Sequence, residues 1–246
     1  MNLLKFRSNV HSQNGEDGVL EEIFKRLNTS KTAGEKWCVE FGAWDGKYLS
    51  NTFRLVEQGW RAVYIEGDKE KYNDLLQTAK LFPNIEPINE MVGFEEDDEN
   101  NLDKLLSATS IPDDFDLLSI DIDSFDLAVW QCFKGTPKVV VIEINSSIKP
   151  GILQWHNDKL QLGNSFSSTV NVAKDKGYSL VCHTGNLIFV RDDLVQLVGL
   201  DNLFLKYPET LFIYNWVNGP ESISLSQRIA RRLPTSIKKF IKRLIS

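Results

Sequence analysis

The sequence lacks the marks of secreted, membrane-spanning and disulfide-bonded proteins. No uninterrupted apolar run in its 246 residues approaches the roughly 20 residues that a membrane-spanning helix needs. Residues 1–10 carry charges and lack the apolar segment of a secretory signal. The three cysteines, Cys38, Cys132 and Cys182, are widely spaced and odd in number. We therefore expect buried free thiols and a cytoplasmic protein.

An excess of positive charge is also absent, except at the C-terminal end. The formal net charge is -6, from 34 acidic and 28 basic residues. Seven of the basic residues and no acidic residue lie from Arg228 onward, which leaves 34 acidic against 21 basic residues in the rest of the chain. An acidic body of this kind excludes nucleic acid as a partner.

The basic C-terminal tail, residues 227–246, has the pattern of an amphipathic helix. Its apolar residues recur at helical spacing, interrupted by Pro234, and basic residues fill the other face. We expect the tail to bind an anionic membrane surface, which would place the protein at the inner face of the membrane. A helix docked on the acidic body and a dimer contact are the alternatives, and the oligomeric state stays open.

Alternating strand and helix patterns predict one α/β domain over residues 1–226, with a helical lead-in over 1–36. The predicted strands are 37–41, 61–65, 85–92, 116–123, 138–145, 178–182 and 187–190. The predicted helices are 19–27, 50–57, 69–80, 102–108, 127–133 and 166–176. The apolar run at 138–145 is typical of a central parallel strand, and residues 183–186 mark a hairpin turn. The pattern predicts a Rossmann-like, mostly parallel seven-stranded sheet with a terminal antiparallel β hairpin.

A glycine turn follows the first predicted strand. Glu40 lies in that strand, Gly42, Asp45 and Gly46 lie in the turn, and Glu66 ends the second strand. Glycines let a ligand approach the backbone, and an acid placed like Glu66 accepts hydrogen bonds from a ribose diol. The pattern is neither the Gly-x-Gly-x-x-Gly of dinucleotide enzymes nor a P-loop. It therefore predicts a nucleoside ligand without a phosphate cradle.

Acidic residues also end the fourth and fifth predicted strands. Asp121 and Asp123 end strand four, and Glu143 ends strand five together with Asn145. Ligands of open α/β sheets bind at the carboxyl ends of the strands, so we expect these residues to share one rim with the first glycine turn. So many like charges require a cationic ligand, a metal ion or solvent to compensate them.

Five segments together resemble bacterial FkbM-like methyltransferases. They are residues 12–17 (Ser-Gln-Asn-Gly-Glu-Asp), 39–46 (Val-Glu-Phe-Gly-Ala-Trp-Asp-Gly), 119–123 (Ser-Ile-Asp-Ile-Asp), 141–145 (Val-Ile-Glu-Ile-Asn) and 176–181 (Lys-Gly-Tyr-Ser-Leu-Val). The similarity covers roughly residues 11–195. The chain departs from the family at strand four, where residues 120–124 are Ile-Asp-Ile-Asp-Ser and the usual pattern is close to Ile-Asp-Val-Glu-Gly.

The resemblance implies a class I methyltransferase fold, S-adenosylmethionine as cofactor and methyl transfer to oxygen. On this resemblance the cofactor-binding residues are Gln13, Glu40, Gly42, Asp45, Gly46, Glu66 and Asp121. A sulfonium cation also suits an acidic rim. Such enzymes commonly methylate sugars or secondary metabolites. We expect a sugar hydroxyl in surface-glycan (capsule or O-antigen) biosynthesis, because the basic tail would bring the enzyme to a lipid-linked glycan.

The ends of strands four and five also look like those of metal-dependent O-methyltransferases of the catechol and macrocin types. On that resemblance Asp121, Asp123, Glu143 and Asn145 are candidate ligands of Mg²⁺ or Mn²⁺, which prefer hard oxygen donors. A metal there would orient an acceptor hydroxyl and lower its pKa. The alternative is that Asp121 orders its loop while Glu143 and Asn145 cap the next segment.

Asp121 and His156 are the candidate catalytic residues. His156 lies beside Trp155 in the long predicted loop 146–164. We expect this loop to cover the acceptor and His156 to act as a general base. A surface histidine is the alternative. Three other interpretations of the whole chain stay open: a binding module that keeps the fold without turnover, a methyltransferase of a small secondary metabolite, and a nucleotide-sugar or NAD enzyme.

Overall fold

The computed structural model describes residues 2–27, 36–122, 124–157, 159 and 163–216. Within these ranges the chain forms a seven-stranded sheet with helices on both faces. The strands are β1 (Trp37–Phe41), β2 (Arg61–Ile65), β3 (Ile85–Ile88), β4 (Leu117–Ile120), β5 (Val139–Glu143), β6 (Tyr178–His183) and β7 (Asn186–Arg191). The helices are α1 (Glu16–Leu27), α2 (Phe53–Glu57), α3 (Lys69–Leu81), α4 (Leu102–Ser107), α5 (Asp126–Cys132), α6 (Phe166–Asp175), α7 (Val195–Val198) and α8 (Asn202–Lys206). Short 3-10 turns cover Leu3–Phe6 and Pro208–Leu211.

The strand order across the sheet is β3-β2-β1-β4-β5-β7-β6. Strands β1 to β5 pair in parallel, whereas β7 runs antiparallel to both β5 and β6. The direction of winding reverses between β1 and β4, which is the place where open α/β sheets bind ligands. A parallel sheet with an antiparallel β7 inserted beside β5 is the class I methyltransferase fold, which confirms the predicted fold class.

The central strands are buried on both faces, which explains their nearly continuous apolar sequences. All five residues of β1 are buried. In β5, Val139 and Val141 join the apolar cluster that includes side chains of α1, α2 and α7. The alternate residues Val140 and Ile142 join the cluster on the other face, with side chains of α4, α5 and α6. Burial of each aliphatic side chain of this kind stabilises the folded state by roughly 1.5–3 kcal/mol.

Local signals position several elements as predicted. Strands β1 and β2 coincide with the predicted residues 37–41 and 61–65. Helix α3 begins at residue 69 because one oxygen of Asp68 accepts the backbone N–H groups of Glu70 and Lys71, at 2.8 and 3.1 Å. Gly59 follows α2 with a φ of 90°, a conformation that glycine adopts without strain.

Several predicted bounds differ from those of the structure: α1 begins at residue 16 instead of 19, and β4 and β5 end at residues 120 and 143 instead of 123 and 145. Two further differences have causes that the contacts show. Strand β3 was expected to reach residue 92 but ends at Ile88, which pairs with Ile65, the last residue of β2. Strand β2 ends at that pair, so β3 has no neighbouring strand residue to pair with beyond it. The helix expected from residue 50 begins at Phe53, because Ser50 and Asn51 are bound to a buried carboxylate described below.

The three cysteines are free thiols, as predicted, and two of them are buried. Burial raises the pKa of Cys38 and of Cys182, so both are protonated and unreactive. Cys132 on α5 is only half-buried, which corrects the expectation that all three would be inside.

Two sequence predictions concern residues that lie outside the described ranges. These are the role of Asp123 as a metal ligand and the amphipathic tail 227–246. Of the helices that the structure describes, none combines the length and the apolar character required to span a bilayer.

Candidate active site

A cleft of about 760 Å³ opens at the carboxyl ends of β1, β2, β4 and β5. Small-molecule sites have volumes of roughly 300–1,000 Å³, so the cleft is of the right size for a nucleoside and an acceptor. The predicted ligand-binding residues that line it are Gln13, Glu40, Gly42, Glu66, Asp121 and Glu143. The fold therefore brings together side chains from an N-terminal loop and from four strand ends.

Gly42 makes the turn that leaves β1 and forms part of the cleft floor. Its φ is 77°, and its backbone N–H donates to the carbonyl oxygen of Ile65 at 3.0 Å. A β-carbon at this position would lie 2.5 Å from the carbonyl oxygen of Asp121, closer than such contacts occur. Glycine is therefore required both by the backbone conformation and by the close approach of the end of β4.

Glu40 lies beneath the cleft, and the protein itself binds its carboxylate. One oxygen accepts from the hydroxyls of Ser50, at 2.6 Å, and Thr52, and the other accepts from the backbone N–H of Asn51 at 3.0 Å. Burial raises the pKa of Glu40 despite these hydrogen bonds. Glu40 therefore fixes the loop that leads into α2, and only part of it faces the cleft.

Glu66, at the end of β2, holds the two turns that flank the cleft. One carboxylate oxygen accepts the backbone N–H of Trp44, and the other accepts that of Asp68, both at 2.8 Å. Each oxygen has a second lone pair, so Glu66 retains the capacity to accept from a ribose diol. Its role as a cofactor-binding residue stays a prediction.

Asp45 and Gly46 belong to the same turn but do not line the cleft. Asp45 accepts the backbone N–H groups of Lys47 and Tyr48 at 2.9 and 2.7 Å. Gly46 has a φ of 78° and packs so closely that a β-carbon would lie 2.9 Å from the Leu75 side chain of α3. In the structure both residues shape the turn.

Two non-glycine residues of this turn, Trp44 and Leu49, have positive φ angles of 46° and 60°. Such conformations cost of order 1–2 kcal/mol each and are common at functional sites. The rings of Trp44 and Tyr48 meet edge to face at 5.5 Å, and both line the cleft with 41% and 61% of their surface exposed. This aromatic pair was not predicted from the sequence, because a positive φ at tryptophan depends on tertiary contacts such as the hydrogen bond from its backbone N–H to Glu66.

The N-terminal loop that carries Gln13 and Asn14 to the cleft is organised by Asp17 of α1. One oxygen of Asp17 accepts the backbone N–H groups of residues 10–12, at 2.7, 2.8 and 2.8 Å. Asp17 is 2% exposed, so these bonds are screened little by solvent. The sequence motif at 12–17 therefore contains the acid that holds its own loop.

Glu16 joins the same loop to the β6–β7 hairpin. Its carboxylate accepts the backbone N–H of Asn14 at 2.8 Å and the hydroxyl of Thr184 at 2.7 Å. Burial raises the pKa of Glu16. Gly185, at the hairpin turn, lies so close to the side chain of Asn14 that a β-carbon on residue 185 would clash with it. The hairpin and the loop thus form one wall, which includes Asn186 in the cleft lining.

The predicted metal ligands do not come together as a site in the described residues. Asp121 and Glu143 line the cleft, but Asn145 does not. The side-chain oxygen of Asn145 accepts from the backbone N–H and the hydroxyl of Ser147, at 3.0 and 2.6 Å. No group of three or more His, Cys, Asp and Glu residues in the described ranges is placed to hold a metal ion. The predicted Mg²⁺ or Mn²⁺ site is therefore without support from these residues.

His156 is half-buried and does not belong to the cleft lining. Its backbone N–H donates to Asn164 at 3.0 Å, and its ring meets that of Phe125 edge to face at 5.0 Å. The residue before Phe125, Ser124, does line the cleft. His156 therefore packs on Phe125, and neither ring lines the cleft.

The described lining of the cleft is strongly acidic. Its carboxylates belong to Glu40, Glu66, Asp68, Glu90, Asp121 and Glu143. Lys71 is the only basic residue among the described residues that line it, and its ammonium group lies 4.9 Å from the centre of the Trp44 ring. Such a lining attracts a cation and disfavours a phosphate group.

Some residues that line the cleft were not predicted from the sequence, among them Asp68, Lys71, Glu90, Met91 and Trp216. The rule that ligands bind beyond strand ends indicates the first four, because they follow β2 and β3. Trp216 follows no strand of the sheet, and tertiary contacts alone bring it to the cleft.

No protein-family model and no curated protein sequence matches the chain. Among solved structures, the chain is similar to the N-terminal domain of EvdMO1 in the presence of SAH and D-fucose, with 12% identity, a TM-score of 0.40 and coverage of 69% of this chain and 82% of that one. It is similar to monomeric WbdD with 12% identity, a TM-score of 0.49 and coverage of 74% and 42%. It is similar to a SAM-dependent methyltransferase from Aquifex aeolicus with 16% identity, a TM-score of 0.43 and coverage of 76% and 93%. Because these identities and scores are low, the fold assignment rests on the strand order and register.

Proposed function

We propose that the protein is an S-adenosylmethionine-dependent O-methyltransferase. The observation that carries the proposal is an acidic cleft at the switch point of a class I methyltransferase sheet, with Glu66 at the end of β2. In this proposal Glu66 accepts hydrogen bonds from the ribose hydroxyls, and Gly42, which has no side chain, allows the cofactor to contact the backbone. The excess of carboxylates suits a sulfonium cation and is a poor environment for the diphosphate of NAD.

S-adenosylmethionine, when bound, supplies an electrophilic methyl group on a cationic sulfur. We place the acceptor over the ends of β4 and β5, where Asp121 and Glu143 line the cleft. As the acceptor oxygen bonds to the methyl carbon, the electron pair of the C–S bond stays on sulfur and Asp121 takes the hydroxyl proton. Glu143 orients the acceptor, since in-line transfer depends strongly on positioning. His156 is the second candidate for the base, although its ring does not line the cleft in this structure.

We propose a sugar hydroxyl as the acceptor, in the biosynthesis of a surface glycan. The resemblance to FkbM-like enzymes supports this, and so does the polar lining beside Asp121 and Glu143. That lining includes Ser124, Ser146 and Asn186, whose side chains donate to and accept from hydroxyl groups. A small secondary metabolite with a hydroxyl group is the alternative acceptor.

Membrane association of the basic tail is a separate part of the proposal. We expect deletion of residues 227–246 to release the protein from vesicles that contain phosphatidylglycerol and to leave cofactor affinity unchanged. Equal sedimentation of both proteins with these vesicles would rule out this role of the tail.

Assistance by a metal is tested by turnover in EDTA. If Asp121, Glu143 and Asp123 hold Mg²⁺ or Mn²⁺, the chelator abolishes methyl transfer and added metal restores it. Unchanged turnover in EDTA would show that the carboxylates act without a metal.

Isothermal titration calorimetry tests the cofactor. We expect micromolar binding of S-adenosylhomocysteine, no binding of NAD, and a loss of about tenfold or more in affinity in Glu66→Gln, which keeps the size of the side chain and loses an acceptor. Glu70→Gln is the matched control, because Glu70 is exposed on α3 and does not line the cleft. Binding of neither ligand by the unaltered protein would contradict the proposed function.

Transfer of a labelled methyl group distinguishes an enzyme from a binding module that keeps the fold. We expect label from S-adenosylmethionine to appear in at least one member of a panel of nucleotide sugars and methyl glycosides. Binding of S-adenosylhomocysteine without transfer to any hydroxyl compound of the panel would favour the binding module.

A further inference from the structure

A short C-terminal strap, residues 212–216, crosses the end of the sheet and reaches the cleft. The backbone N–H of Ile213 donates to Nδ1 of His183, the last residue of β6, at 2.9 Å. The backbone N–H of Asn215 donates to the carbonyl oxygen of Ser146, beyond the end of β5, at 2.9 Å. Trp216 then lines the cleft with 8% of its surface exposed. Two elements far apart in the chain therefore fix the strap.

The ring of His183 is the centre of the contacts that hold the strap. It stacks on Phe212 with the ring centroids 5.4 Å apart, and it lies 5.7 Å from Trp216. His183 has no exposed surface. Because Nδ1 accepts from Ile213, the neutral ring carries its proton on Nε2. The histidine thus acts on the strap through one hydrogen bond and two ring contacts.

Trp216 has a buried donor that the described residues leave without an acceptor. Its Nε1 makes no hydrogen bond in the described part of the protein. Because Nε1 has almost no exposed surface, a ligand with an oxygen acceptor reaches it only if the indole turns. Indoles also offer a flat apolar face. What Trp216 offers to the cleft is therefore an apolar ring, on which the C–H groups of a sugar ring can pack.

The contacts of the strap locate Trp216 on the acceptor side of the cleft. Ser146, to which the strap is hydrogen-bonded, lines the cleft together with Glu143 of β5 and Asn186 of β7. Gly42 and Glu66, which we propose to bind the nucleoside, lie at the ends of β1 and β2, on the other side of the switch point from β5 and β7. Resting on the proposed function, we propose that Trp216 binds the C–H face of the sugar acceptor and that His183 is the residue that positions it.

The indole N–H signals of ¹⁵N-labelled protein test the proposal without turnover. The chain has six tryptophans, of which Trp44 and Trp216 line the cleft and the others serve as internal controls. The losses of signal in Trp44→Phe and Trp216→Phe assign the two reporters. We expect S-adenosylhomocysteine to shift the Trp44 signal, and methyl glycosides of hexoses and 6-deoxyhexoses, added to the saturated complex, to shift the Trp216 signal.

The two reporters separate the two proposals. If S-adenosylhomocysteine shifts Trp44 but no glycoside shifts Trp216, the acceptor role of Trp216 is overturned and the proposed cofactor stands. If S-adenosylhomocysteine shifts no indole signal and releases no heat in calorimetry, the proposed function fails and the acceptor role fails with it.

A pair of variants tests the role of His183. His183→Asn keeps an acceptor near the position of Nδ1, whereas His183→Phe keeps an aromatic ring and removes the acceptor. We expect His183→Phe to weaken glycoside binding about tenfold, which corresponds to one lost hydrogen bond, with an unchanged affinity for S-adenosylhomocysteine. His183→Asn should stay closer to the unaltered protein. Equal glycoside affinity in all three proteins, or equal losses for both ligands in His183→Phe, would overturn the positioning role.

Discussion

Gly42 and Asp121 are in contact through the backbone at the point where β1 and β4 end. A β-carbon on residue 42 would lie 2.5 Å from the carbonyl oxygen of Asp121. The turn that would carry the cofactor and the strand end that would face the acceptor are therefore fixed to each other. A change at Gly42 should disturb both halves of the cleft at once.

Gly42→Ala should destabilise the protein and weaken cofactor binding. The positive φ alone costs alanine about 1–2 kcal/mol, and the contact with Asp121 forces a shift of the backbone in addition. We expect a loss of 3 kcal/mol or more, as an order of magnitude, in the free energy of unfolding from urea denaturation. Calorimetry with S-adenosylhomocysteine should show a loss of affinity of more than about tenfold.

Gly177→Ala is the matched control for this prediction. Gly177 has a φ of 78°, almost the same as the 77° of Gly42, but a β-carbon there would meet nothing within 4 Å. It should show the conformational cost of about 1–2 kcal/mol and an unchanged affinity for the cofactor. Equal losses in the two variants would show that the contact with Asp121 has no effect.

Asp17→Ala should loosen the loop that carries Gln13 and Asn14. The substitution removes the acceptor of three backbone N–H groups, those of residues 10–12. Each buried donor left without a partner costs about 1–3 kcal/mol, so we expect a loss of stability of several kcal/mol by urea denaturation. Asp17→Asn keeps an oxygen at the same place and should lose less. If the two variants are equally stable, the hydrogen bonds to the loop are not what Asp17 contributes.

The regular elements were largely predictable because their signals are local. Strands β1 and β2 follow from short apolar runs bounded by turn residues, and Asp68 marks the start of α3. The start of α2 was not, because a tertiary contact holds the loop before it. Glu40, a residue of β1, accepts from the Ser50 hydroxyl and from the backbone N–H of Asn51. The Ser50 hydroxyl also accepts the backbone N–H of Phe53 at 2.9 Å, so Ser50 combines a local cap with this tertiary contact.

Apart from Gln13, which the resemblance to FkbM-like methyltransferases indicated, the candidate site was predictable where strand ends define it. The alignment of parallel strands brings Glu66, Asp121 and Glu143 to one rim, as expected. Trp44 and Trp216 reach the cleft for other reasons. The first needs a strained turn held by Glu66, and the second needs a strap held by His183. Neither conformation is encoded in residue spacing, so neither residue could be chosen from the sequence.

The cysteines should differ in reactivity toward iodoacetamide in the native protein. Cys38 and Cys182 are fully buried, and burial raises the pKa of both thiols. Cys132 is half-buried on α5 and is therefore the accessible thiol. We expect peptide mass spectrometry after labelling at pH 8 to find modification first at Cys132 and at the other two only after denaturation. Early labelling of Cys38 would contradict the burial of β1.

His183 should make the protein less stable as the pH is lowered. Burial lowers the pKa of His183 to about 4 in the folded protein, from about 6.5 in an unfolded chain. Between these values the unfolded state binds more protons, so the free energy of unfolding falls as pH falls from 6.5 to 4. The difference corresponds to about 3 kcal/mol over this range.

His183→Asn removes this titration and keeps an acceptor for the N–H of Ile213. Its urea-unfolding free energy should therefore change less between pH 6.5 and 4 than that of the unaltered protein. Glu16 and Glu40, whose pKa values are raised by burial, act in the opposite direction, because their contribution falls as pH rises above about 4.5. Both are present in the two proteins, so their effect cancels in the difference. Parallel pH profiles for the two proteins would show that the neutral ring of His183 is not required for the fold.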